Sequence, residues 1–245
     1  MILAPHCDDV PLSLGGTLLE GYFGTDVHVV IVYSKSRYTK DQRGDALLEP
    51  TTSTRKKEEM LAAISAGYSV SFLDFGEPFV RAGFDTLDDI CDEKREPQID
   101  PVWPMVLATI ETTLKSHDGL VLAPLGCGSH VDHRMLNMAF RHILNWTTNC
   151  IPALYEDLPY AANCDPEVLR SLAKENTPRI GDLGRLKLPV PSIGGKRALL
   201  SLYESQMTDE YSEAVTKHWL VHRCEHIWVS EKGRRAIETL SRRSL

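Results

Sequence analysis

Short apolar runs alternate with longer stretches of helical periodicity over the first two thirds of the chain. The opening "MILAP" is too short for a helix and apolar throughout, which predicts a buried strand. "VPLSLGGTLLEGYF" then sets Leu12, Leu14, Leu18, Leu19 and Tyr22 at near-helical spacing, with Asp9 as N-cap and Pro11 in the first turn. "VHVVIVYS" (27–34) is rich in β-branched residues and predicts a second buried strand. In "STRKKEEMLAAISAG" (53–67), Met60, Leu61 and Ile64 form the apolar stripe of an amphipathic helix that Gly67 stops. "SVSFLDF" predicts a third strand, "PVWPMVLATIETTLKS" a helix and "GLVLAPLG" (119–126) a fourth strand. "HVDHRMLNMAFRHILNW" turns Met135, Met138, Ala139, Ile143 and Leu144 to one side of a helix, and "IPALYEDLPYA" carries a fifth strand into a proline-broken loop. Beyond residue 165 the alternation fades to a helical pair in "KRALLSLYESQMTDEYSEAV" and a late strand in "HIWVS".

Strands alternating with helices predict an α/β, Rossmann-like fold: a mostly parallel sheet with helices on both faces, plus a smaller irregular C-terminal part. We divide it into a core over 1–164 and an extension of the same domain over 165–245, placed to cap a cleft. In such sheets, ligands bind outside the carboxyl ends of the strands. Residues 6–9 and 126–133 fall at two such ends. The acidic, irregular stretch 76–100 is long enough to be a substrate-facing excursion, and its acidity suits hydroxyls or amines better than several phosphates.

Composition narrows the function without naming it. The 42% hydrophobic and 25% charged fractions are those of an ordinary globular protein. A formal net charge of −7 excludes a general affinity for nucleic acid, which needs an excess of Lys and Arg. Only the tail "EKGRRAIETLSRRSL" is basic, and such a cluster reads as a solvated helix face. Six scattered cysteines form no C-x-x-C pair and no leader is recognisable, so reduced thiols and a cytoplasmic location are expected. No apolar run approaches the roughly 20 residues needed to span a bilayer.

The polarity of "PHCDDVPLSLGG" (5–16) is out of keeping with its place after a buried strand. A dinucleotide site would need G-x-G-x-x-G at this turn, and two adjacent carboxylates would repel a pyrophosphate. A divalent metal accounts for the same residues. His6 supplies an imidazole and Asp9 a carboxylate, while "HVDH" brings His130 and His133 to the end of the fourth strand. Two histidines and a carboxylate with an open fourth position form a recurring catalytic zinc arrangement, and Asp8 is then free to take a proton from water. Capping is the plainer reading of each motif alone, with Asp132 answering the helix dipole.

These residues carry a resemblance to the N-acetylglucosaminylphosphatidylinositol deacetylase (PIG-L) and LmbE-like family of zinc-dependent deacetylases, marked by His-x-Asp-Asp after the first strand and His-x-Asp-His later. The chain has "HCDD" and "HVDH", and is similar through "GGTL", "TRKKEEMLAAISAG", "LAPLGCGSHVDH", "YEDLPYA" and "KRALLSLYESQ". The resemblance implies that His6, Asp9 and His133 bind Zn2+, that Asp8 is the general base, and that His130 faces the developing oxyanion with Asp132 orienting it. It implies more loosely that Arg55 lies near the substrate. The implied reaction is hydrolysis of an N-acetyl group from an amino sugar or its conjugate, releasing acetate and a free amine. The expected partner is thus a small N-acetylated sugar. A catalytically silent sugar-binding homologue would require the base or a ligand to be replaced, and none is. A metal-dependent hydrolase of another bond would be favoured by two closely spaced metals.

Some positions depart from the family pattern. Val10 stands where Glu commonly follows, and Cys7 replaces the usual proline as a possible surface thiol near the metal. Some relatives place a tyrosine two residues before the histidine that faces the oxyanion. Gly128 is there instead, leaving that task to zinc and His130. His218, His222 and His226 recur every four residues, but Trp219, Leu220 and Val221 suggest packing rather than a second metal site, with His226 starting a strand. Glu156 and Asp157 are candidates to shape the cleft.

Overall fold

The computed structural model describes residues 1–42, 44–115, 117–144 and 149–242; Ser116, Asn145, Trp146 and Arg243, which fall in predicted helices or the basic tail, lie outside them. Strand β1 (Ile2–Ala4) leads into α1 (Asp9–Leu19), then β2 (His28–Ile31), α2 (Leu48–Ala66) and β3 (Ser69–Phe72). The short α3 (Leu87–Ile90) interrupts the excursion before α4 (Trp103–Lys115), β4 (Leu120–Pro124), α5 (Val131–Ile143) and β5 (Ile151–Tyr155) follow. The remainder is α6 (Pro166–Ile180), β6 (Gly184–Pro189), α7 (Gly194–Leu200), α8 (Asp209–His222), β7 (Cys224–Val229) and α9 (Glu231–Arg242).

The seven strands form one sheet in the order β3-β2-β1-β4-β5-β7-β6. The first five are parallel, with Leu3 opposite Val30 and Ala123 opposite Leu154. β7 joins antiparallel to β5, placing Leu154 opposite Trp228, and β6 pairs antiparallel with β7. Strand alternation splits the core in two. Leu3, Val30, Val121, Ala123 and Leu154 pack with Val106 and Ile110 of α4 and with Met135 and Phe140 of α5. Ile2, Ala4, Val29, Ile31, Leu122 and Tyr155 pack on the opposite face with Val10 and Leu14 of α1. Helices therefore cover both faces, as the sequence pattern predicts. The C-terminal residues extend the same sheet through β6 and β7; α9 is the helix suggested for the basic tail, whereas α6 and β6 were not legible as elements.

Two helices differ from expectation. α1 is buried nearly all round because it packs on the sheet, β7 included, and α7 and α2 pack against it in turn. At Gly16 a Cβ would come within 2.7 Å of both Val190 methyls, so only glycine permits this approach. On α2, Met60, Leu61 and Ile64 are 43%, 53% and 79% exposed, not the inward stripe. The helix buries Thr51, Thr52, Arg55, Glu58 and Glu59, because its inner face meets a polar interior instead of hydrocarbon.

Candidate active site

The strand order reverses direction at β1: β2 and β3 lie to one side of it, β4 and β5 to the other. The loops after β1 and β4 therefore open into one crevice, where the parallel-sheet rule puts a ligand. The loop after β5 forms a third wall.

At the first loop, Asp8 rather than Asp9 is the N-cap of α1. Its backbone is left-handed (φ 95°), and its side chain makes no capping bond. This conformation is uncommon for a non-glycine residue and persists where neighbours over-determine it. Glu59 accepts from the Asp8 N–H while its carboxylate also takes the Tyr68 and Tyr203 hydroxyls. Arg55 donates to the Cys7 carbonyl. The carboxylate of Asp9 folds back to accept the His6 N–H at 2.8 Å. Cys7 is buried in the core rather than exposed, and burial pushes its thiol pKa up.

Asp9 stands between two imidazoles: Oδ2 is 3.2 Å from His6 Nδ1, and Oδ1 is 3.4 Å from His133 Nε2. One ligand atom from each of His6, Asp9 and His133 lies within 4.8 Å of the others. The far nitrogen of each histidine is held by a further carboxylate. His6 Nε2 lies 2.9 Å from Asp132 Oδ2, and His133 Nδ1 lies 2.7 Å from Asp157 Oδ1. Such partners fix the tautomer and orientation of metal-binding imidazoles. His133 Nε2 is buried without a hydrogen-bond partner. An orphaned imidazole nitrogen beside a carboxylate, with its other nitrogen anchored, fits a divalent cation.

The electrostatics agree. Burial opposes charge on His6, yet the Asp132 and Asp9 hydrogen bonds raise its pKa to about 9. His133 is likewise raised, against burial, by Asp9 and Asp157. Burial would raise Asp9, but His133 and His6 hold it far below the carboxylate range. The site is thus built to hold positive charge, whether carried by protons or by an ion. Asp8 behaves in the opposite sense: burial and the nearby Asp9 raise its pKa well above normal, while Arg55 opposes them from 4.0 Å.

His130 is the N-cap of α5, and its Nδ1 accepts the Asp132 N–H at 3.2 Å. That bond leaves the proton on Nε2 of a neutral ring. Burial, His6 and His133 together drive its pKa well below normal. The expected orientation of His130 by the Asp132 carboxylate is corrected here. That carboxylate is taken by His6 and by Arg81, which donates at 2.6 Å, so Asp132 orients a candidate ligand. Arg55 is buried and committed to Ser36, Glu77 and Cys7, and it reaches the cavity wall beside Asp8.

A cavity of about 390 Å³ opens over these groups, with His6, Asp8, Asp9, Arg55 and His130 in its lining. Pro78, Phe79, Leu87 and Ile90 bring the 76–100 excursion to its rim, whereas Asp85, Asp88, Asp92 and Glu93 face solvent. Glu77, the acidic residue of that segment that does line the cavity, is paired with Arg55 and Ser36. Tyr38 and Phe79 stack at 6.2 Å and 5° as an aromatic wall. The C-terminal residues contribute Gln206, Thr208 and Tyr211.

Two features escaped the sequence reading. Asp157 does not line the cleft; it anchors His133 while Oδ2 accepts the Gly126 N–H at 2.9 Å. Glu156 points away to Arg185 and Trp228. Tyr160 fills the space that Gly128 leaves open: a Cβ at residue 128 (φ +89°) would lie 2.4 Å from that of Tyr160. The Tyr160 ring meets His133 edge-on at 5.3 Å. "YEDLPYA" was the available signal for both.

Fold and site together define an α/β protein with a histidine–carboxylate cage at the switch point of its sheet. No protein-family model matches the chain. It is 28% identical over 226 residues to the 2'-N-acetylparomamine deacetylase of Streptomyces fradiae, covering 89% of this chain and 77% of that protein. A deacetylase of teicoplanin biosynthesis, solved with teicoplanin, superposes with a TM-score of 0.70 at 19% identity, over 93% and 96% of the two chains. A zinc-inhibited form of a teicoplanin deacetylase superposes at 0.66 and 19% identity, over 94% and 98%. The fold also hosts other chemistry: 4-carboxy-2-hydroxymuconate hydratase from Pseudomonas putida matches at 0.53 and 16% identity, over 90% and 82%. The similarity to a deacetylase spans 89% of this chain, in keeping with the resemblance read from the motifs.

Proposed function

We propose that this protein is a zinc-dependent N-deacetylase that hydrolyses the N-acetyl group of an amino sugar or amino-sugar conjugate to acetate and a free amine. The observation that carries the reading is the cage itself: a buried, unpartnered His133 Nε2 beside Asp9 and His6, open to a cavity that Asp8 and His130 also line. The substrate class follows the paromamine and teicoplanin deacetylases that the chain resembles. The shared fold alone does not select it, since a hydratase has that fold too.

When bound, a divalent ion supplies Lewis acidity toward a water and the acetyl carbonyl. His6, Asp9 and His133 would hold it, with Asp132 and Asp157 fixing the two imidazoles. Asp8, which lines the cavity beside the three donors, takes the proton of the attacking water. His130, neutral and protonated on Nε2, donates to the carbonyl oxygen as charge grows there. The protonated Asp8 then returns its proton to the leaving nitrogen. Arg55 holds the Asp8 turn in place, and the Tyr38–Phe79 wall suits the apolar face of a sugar ring.

The test is an acetate-release screen of zinc-loaded protein across N-acetylated amino sugars, with and without chelator. Release that chelator abolishes and zinc restores supports the reading. Activity that survives metal removal overturns the zinc assignment, and no acetate from any N-acetyl sugar overturns the deacetylase.

A further inference from the structure

A second group of imidazoles lies behind the third wall of the crevice. His218 near the end of α8 and His226 in β7 are buried, and exposed His222 stands beside them. Ring centroids are 4.6 Å apart for His218 and His222, 5.6 Å for His218 and His226, and 5.1 Å for His222 and His226. His218 Nε2 and His226 Nδ1 are both buried without a hydrogen-bond partner. A buried polar atom left unpaired is unfavourable, so two in one place call for an occupant. Glu156 completes the group, with Oε2 3.6 Å from His226 Nδ1. One ligand atom from each of Glu156, His218 and His226 lies within 4.8 Å of the others. Of the residues that suggested packing, Trp219 does pack, its Nε1 donating to the Val190 carbonyl at 2.8 Å, whereas Leu220 and Val221 are 56% and 70% exposed.

We infer that Glu156, His218 and His226 form a second metal site, separate from the first and specific for zinc or a similar late first-row divalent ion. Two imidazole nitrogens and a carboxylate oxygen are a zinc donor set. Ligand atoms around a tetrahedral ion lie about 3.3 Å apart, so small side-chain rotations close the set, and His222 or water takes the fourth position. The surroundings already orient the donors. Arg185 holds Glu156 through two bonds and Trp228 donates to Oε1 at 2.9 Å, so Oε1 is filled and Oε2, which accepts only one bond, keeps a further acceptor site for an ion. Cys224 Sγ lies 3.4 Å from His226 Nε2, and a ring that donates from Nε2 to the thiol leaves the Nδ1 lone pair for a metal.

The ion clasps α8 to β5 and β7. Since α8 carries Tyr211 and Ala214 to the cavity, the clasp fixes one wall of the crevice. Arg185 neutralises Glu156, so this site binds more weakly than the first and fills after it.

The test is zinc titration of chelator-stripped protein, read by equilibrium dialysis and elemental analysis. Wild type is expected to take two zinc equivalents, the His133→Ala chain one, and the His133→Ala/His218→Gln chain none. Zinc should raise the melting temperature of His133→Ala but not of the double variant. His226→Gln in the His133→Ala background guards against a folding defect peculiar to residue 218, and circular dichroism before titration admits only folded variants. A single zinc equivalent in wild type, or a second one that survives both the residue 218 and residue 226 substitutions, overturns the site. Neither outcome bears on the deacetylase reading, which stands on His6, Asp9 and His133.

Discussion

Glu156 and Asp157 are neighbours in the chain, yet each serves a different histidine cluster, and the two clusters are electrostatic opposites. Asp157 faces His133, where Asp9 and Asp132 add negative charge and His6 is raised to about 9. Glu156 faces His226, where Arg185, Lys187 and Lys196 surround the imidazoles and help lower them to about 3 and about 2. Desolvation penalises charge in both places. What differs is the sign of the partners, and it decides whether a buried imidazole gains or sheds its proton. The same difference separates strong capture of a cation from weaker capture.

The largest effect should come from the first cluster. His133→Ala or Asp9→Ala is expected to abolish zinc binding there and bring acetate release to background, checked by elemental analysis beside kinetics. Asp8→Asn should keep that zinc while kcat falls about 10²–10⁴-fold. An Asp8→Asn enzyme with full turnover would remove Asp8 as the base. Next come the adjacent carboxylates. Asp157→Asn should weaken zinc at the first cluster about 10–100-fold, as loss of an anchoring partner does. Glu156→Gln should spare it and weaken only the second. Competition titration against a chromophoric chelator reads both, and equal effects would erase the distinction.

The smallest effect is on pH stability. His218 is neutral in the folded chain and titrates near 6.5 when unfolded. Its folded value is depressed, so the unfolded chain binds more protons below pH 6.5 and stability falls as pH drops from 6.5 toward about 3. His6 has the opposite sign: it adds stability below 6.5 that is lost as pH rises through about 9. In metal-free protein, His218→Gln should therefore flatten the acid limb of a melting-temperature profile and leave the alkaline limb alone.

The clusters also differed in how far the sequence exposed them. "HCDD" and "HVDH" are compact and sit at strand ends, so the first site was legible once the sheet was. The carboxylates behind it were not. Asp132 serves His6 across 126 positions, and Asp157 serves His133 from another loop, contacts that only the fold creates. Local periodicity assigned β1, β2 and β4 because strands buried on both faces are nearly all apolar, and it found β3 at the sheet edge through its alternating Ser-Val-Ser-Phe. It missed β6, whose residues are largely exposed at the sheet edge, and misread α2, whose inner face is polar because it supports the Asp8 turn.

Gly128 and Tyr160 behave as a lock and its key cut from different parts of the chain. On the loop after the fourth strand this protein leaves a gap, and a tyrosine from the loop after the fifth strand occupies it. Neither position can be read or redesigned alone. A larger residue at 128 must evict the ring at 160, and a smaller residue at 160 opens a hole that residue 128 does not fill. The wall of the crevice next to His133 is therefore a property of the pair, and only a joint change at both positions can preserve it.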